Sequence, residues 1–67
     1  MTTFFEANQV RLMLKMKYSQ YVWYSSSLVF PSDDGFDVLI NVHHLDNKVR
    51  KLVSPVVNGV SIKVENE

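Results

Sequence analysis

Every proline and glycine of this chain lies after residue 30. Pro and Gly are the strongest local breakers of regular structure, so the first thirty residues are free to form one long element. The segment Val10–Tyr24, VRLMLKMKYSQYVWY, admits two periods. As a strand, Val10, Leu12, Leu14, Met16 and Tyr18 share one face, with Arg11, Lys15 and Lys17 opposite. As a helix, Ala7, Val10, Leu14, Tyr18, Tyr21 and Ser25 form a continuous stripe at three- and four-residue steps. The strand pattern breaks after Tyr18, whereas the helical one continues for two more turns. Thr3 and Glu6 have the spacing of a capping box just upstream, and Leu, Met, Lys, Arg, Gln and Ala favour helix. The spacing predicts a helix over residues 4–24.

Past residue 30 the breakers divide the chain. PSDDG, residues 31–35, is a turn between SSSLVF and GFDVLINVH, which predicts a β-hairpin. In the second strand Phe36, Val38, Ile40 and Val42 alternate with Asp37, Leu39, Asn41 and His43. LDNKVRKLVSP predicts a short helix, with Asp46 as N-cap, Val49, Leu52 and Val53 on one face, and Pro55 as its stop. The competing reading is a strand, because Val49, Lys51 and Val53 also alternate. Val60, Ile62 and Val64 mark a C-terminal strand, with Asn58-Gly59 as a turn. The expected architecture is therefore α+β: long helix, hairpin, short helix, strand, with a three-stranded sheet carrying the helices. If both ambiguous segments are strands, the alternative is a small antiparallel β-meander.

With 67 residues, the chain is expected to form one domain. A chain this short buries only about 60% of its unfolded surface, so stability is thin. There is no cysteine to staple it, and this removes the usual case for a secreted mini-protein. Hydrophobic residues make up 46% and charged residues 21%, a globular composition. No apolar run reaches membrane-spanning length, and the first ten residues lack the pattern of a signal peptide, so a cytoplasmic protein is expected.

The motifs of catalysis are missing. His43-His44 in a strand point to opposite faces and do not converge on one metal. Asp33, Asp34 and Asp37 cluster at the turn without a calcium-loop pattern. Ser25, Ser26 and Ser27 have no neighbouring base or glycine elbow. Neither an enzyme nor a metal or cofactor is expected.

Two surfaces remain. On the long helix, Phe5, Leu12, Met16 and Trp23 form a second apolar line, far around the helix from the first stripe. A surface helix of a small monomer needs only one such stripe. The expected role is docking on another protein or on a second copy, with those four residues as anchors and Arg11 and Lys15 at the rim. By analogy of size and composition alone, a small inhibitor or modulator would be of this kind. The alternative is nucleic-acid binding by Lys48, Arg50 and Lys51, near His44, together with Arg11 and Lys15 of the long helix, and with Tyr24 or Trp23 stacking on bases. Against it, Lys plus Arg and Asp plus Glu are seven each, so there is no net positive field to hold phosphates.

Overall fold

The computed structural model describes residues 2–67. The elements run α1 (Phe4–Tyr18), β1 (Tyr24–Ser32), β2 (Gly35–Val42), α2 (Asn47–Leu52), β3 (Val56–Val57) and β4 (Val60–Asn66). This is the α+β order that the sequence predicts, and it excludes the meander. The sheet has four strands rather than three. The extra strand, β3, is two residues long, too short to show any period of its own.

At the start of α1 the Thr3 Oγ1 accepts from the Glu6 N–H at 3.1 Å, and the Glu6 carboxylate accepts from the Thr3 N–H at 3.4 Å. Two of the helix's orphan donors are thereby satisfied. Ala7, Val10, Leu14 and Tyr18 are its buried residues, the first four members of the expected stripe. The helix then stops, six residues short of the expected end at Tyr24. The Tyr21 N–H donates to the Tyr18 carbonyl at 2.9 Å in a tight turn. Aromatic and β-branched residues crowd this stretch and lose side-chain freedom in a helix. Turning back instead stacks Tyr21 on Trp23 (5.1 Å, 16°) and Trp23 against Tyr18 (5.4 Å), and releases Tyr24 into β1.

β1 and β2 form an antiparallel hairpin closed by Asp33-Asp34, with Ser32 opposite Gly35. Gly35 has φ +120°, and Thr2 lies against it. The Thr2 N–H donates to the Asp34 carbonyl at 2.8 Å, and the Phe36 N–H donates to the Thr2 carbonyl at 3.1 Å. From β2 the chain passes through α2 into β4, which pairs with β2 in parallel. Asp46 caps α2, its Oδ1 accepting from the Val49 N–H at 3.0 Å. Asn58 (φ 51°) and Gly59 (φ 80°) make the two-residue turn between β3 and β4, with the positive angles that twisted hairpins require. The sheet order is β1-β2-β4-β3.

Val49 and Val53 of the α2 segment join the buried residues of α1 and Val38, Ile40, Val42, Val60 and Ile62 of the sheet in one core. Both helices therefore cover the same face. Asp37, Leu39 and Asn41 alternate onto the other face, level with Phe30, Leu28 and Ser26 of β1 and with Lys63 and Glu65 of β4. No described helix covers that face. Lys63 lies over the Phe30 ring there, 5.3 Å from its centre.

Candidate interaction surface

α1 turns about 100° per residue, so the buried stripe and the line of Phe5, Leu12 and Met16 lie about 180° apart. The structure places these three on the outward side of the helix. Met16 is 82% exposed, Phe5 69% and Leu12 39%. Met13 is also exposed, on one flank of the line. Gln9 is the polar residue between Phe5 and Leu12 on this side, so α1 offers solvent a mostly apolar ridge about three turns long. Trp23 is not part of it. Because α1 ends at Tyr18, Trp23 sits beyond the helix, half-buried against the core in its stack with Tyr18 and Tyr21. The line of anchors expected from the sequence is shortened accordingly.

Arg11 and Lys15, one turn apart, sit on the side of α1 that faces β1. With Tyr24, Ser25, Ser26 and Ser27 they line a cavity of about 170 Å³. The Arg11 Nε donates to the Asn8 Oδ1 at 2.9 Å, and the Tyr24 hydroxyl is 2.9 Å from the Ser27 Oγ. Among the described residues, no carboxylate forms an ion pair with either cation. Arg11 and Lys15 thus border the outward ridge on one side and the open edge of the sheet on the other.

Lys48, Arg50 and Lys51 are all exposed on α2. Arg50 and Lys51 occupy its last turn, where cations favour the negative end of the helix dipole. Tyr24, the residue expected to stack on bases, lines the cleft beneath Arg11 and Lys15, the two long-helix cations of the same reading.

One cluster was invisible in the sequence. The Ser25 Oγ donates to the Glu67 Oε1 at 2.7 Å, and the Glu67 Oε2 lies 2.8 Å from the His43 Nδ1. These residues are up to 42 positions apart and meet only because β4 runs parallel to β2 and ends beside it. A hydrolytic triad needs its imidazole between nucleophile and carboxylate. Here the carboxylate lies between the serine and the imidazole, so the histidine cannot take the serine's proton. The arrangement clamps three strand ends together. His43 and His44 have no metal-binding company, and among the described residues no three His, Cys, Asp or Glu side chains converge on an ion site.

Tyr18 is buried at the end of α1. Burial raises the pKa of its phenol, and the neighbouring Tyr21 adds to the rise. Its hydroxyl donates to the Leu52 carbonyl at 3.4 Å, a long bond linking α1 to α2.

The chain matches no family model, no curated protein and no solved structure. Among the described residues, no helix is long and apolar enough to cross a membrane.

Proposed function

We propose that this is a non-catalytic interaction protein, acting in the cytoplasm, that docks on another protein through the outward face of α1. The observation that carries this reading is the position of Phe5, Leu12 and Met16, diametrically opposite a helix face that already fills the core. Exposed single apolar residues are ordinary, but an aligned ridge leaves apolar area in water that a complementary groove would cover. Phenylalanine supplies a large rigid anchor, and methionine adapts to an irregular groove. Arg11 and Lys15 at the border suit a partner whose groove has an acidic rim. The mechanism is occlusion or assembly, which requires no reacting group. The zero formal net charge counts against nucleic acid as the partner.

The test is affinity capture with three baits: the natural chain, Phe5→Ser/Met16→Ser and Lys48→Glu/Lys51→Glu. All substituted side chains are exposed, so each bait is expected to keep its circular dichroism spectrum. Docking through α1 predicts a protein held by the first and third baits and released by the second. A salt-sensitive RNA or DNA captured by the first two and lost from the third contradicts it.

A further inference from the structure

We propose that the outer edge of β1 pairs antiparallel with the same edge of a second copy of this chain, about a twofold axis at Leu28. This surface is distinct from the outward ridge of Phe5, Leu12 and Met16, although Arg11 and Lys15 border both.

β1 ends the sheet, with β2 on one side and no strand on the other. The Phe36 N–H is spent on Thr2 and so points away from β1. Phe36 and Pro31 therefore form a pair without ladder hydrogen bonds, and backbone direction alternates from there. Ser27 and Val29 consequently turn their N–H and carbonyl groups toward the open edge, while Leu28 and Phe30 turn theirs toward β2. Pro31 has no N–H to offer, and the ladder is irregular at Ser25, between Tyr24 and Ser26. The usable window is thus Ser26–Phe30, centred on Leu28.

Edges of this length are ordinarily blunted by charge. The nine residues of β1, YSSSLVFPS, carry none. The charges stand at its two ends instead, and they are opposite. Arg11 and Lys15 lie beside Tyr24–Ser27, both without an ion-pair partner among the described residues. Asp33 and Asp34 are exposed at the hairpin tip beyond Ser32.

That polarity selects the occupant. Antiparallel pairing about Leu28 sets Ser26 opposite Phe30 of the second copy and brings that copy's two aspartates, beyond its Ser32, toward Arg11 and Lys15. The symmetry repeats the contact at the far end, as an isologous interface requires. Parallel pairing would bring like charges together. Ser27 and Val29 would exchange hydrogen bonds with Val29 and Ser27 of the second copy. Leu28, 41% exposed on the uncovered sheet face, would pack on its own counterpart.

The chain has no cysteine, so each thiol introduced is unique. Residues opposed in a pair without hydrogen bonds have Cα atoms about 4.5 Å apart, within disulfide reach. Three single variants, Leu28→Cys, Ser26→Cys and Phe30→Cys, are oxidised under mild conditions after circular dichroism confirms their fold. Expected are a covalent dimer from Leu28→Cys alone, little from either other variant by itself, and a mixed dimer when Ser26→Cys and Phe30→Cys are combined. The natural chain should sediment at twice 7.8 kDa and dissociate on dilution. A monomer at all concentrations overturns the proposal, as does equal crosslinking at all three positions. A dimer that Phe5→Ser/Met16→Ser abolishes and Leu28→Lys leaves intact also overturns it, by assigning self-association to the helix.

Discussion

Gly35 carries the most exacting single-residue requirement in the chain. Its φ of +120° is strained for any L side chain, and an added Cβ would fall 2.1 Å from the Thr2 carbonyl oxygen. Gly59 shares the positive φ but has open space around it. Gly59→Ala should therefore cost about 1 kcal/mol from backbone strain alone. Gly35→Ala should cost clearly more, because Thr2 must also leave the hairpin. Urea unfolding of both variants checks the order. Tyr18 gives a second residue-scale expectation. Its phenol is raised above the ordinary value in the fold, so the folded state disfavours the phenolate. The resulting stability is fully present below about pH 10, the unfolded value, and is lost as pH climbs through the folded one. Tyr18→Phe should flatten that alkaline decline, measured as unfolding midpoints across the same pH range.

At the scale of elements, α1 has two apolar sides with opposite energetic roles. Leu14→Ala should cost about 2–5 kcal/mol, enough to unfold much of a small domain at room temperature. Met16→Ala, two residues away, should change stability by no more than about 0.5 kcal/mol. Equal losses at both sites would mean that the outward ridge is covered. The core side of α1 was legible in the sequence because Ala7, Val10, Leu14 and Tyr18 keep helical spacing and Thr3–Glu6 marks the start. The end was not legible. Tyr21 and Ser25 continue the period by coincidence, and only the competing claims of aromatic packing on Tyr18 and pairing in β1 stop the helix. Trp23 was misplaced on the ridge for the same reason. α2 was readable from Asp46, Val49 and Val53, whereas the meeting of Ser25, His43 and Glu67 depends on a parallel register that no local pattern encodes.

At the scale of the molecule, two layers leave much apolar material uncovered. The helices shield one sheet face, and the ridge of α1, Leu28 on the other face, and the edge of β1 remain in water. A chain of zero formal charge has little colloidal repulsion to keep such surfaces apart, which suits a protein that works bound. Pairing at β1 would place two α1 ridges on the same side of one continuous sheet, so a partner with two grooves would be held with the gain of bivalency. The most direct measurement is site-specific photocrosslinking in cells, with the photoreactive residue at position 16 in one protein and at position 48 in another. Docking through the outward face of α1 predicts a discrete protein adduct from position 16 and none from position 48. An adduct from position 48 alone, or none from either, would contradict it.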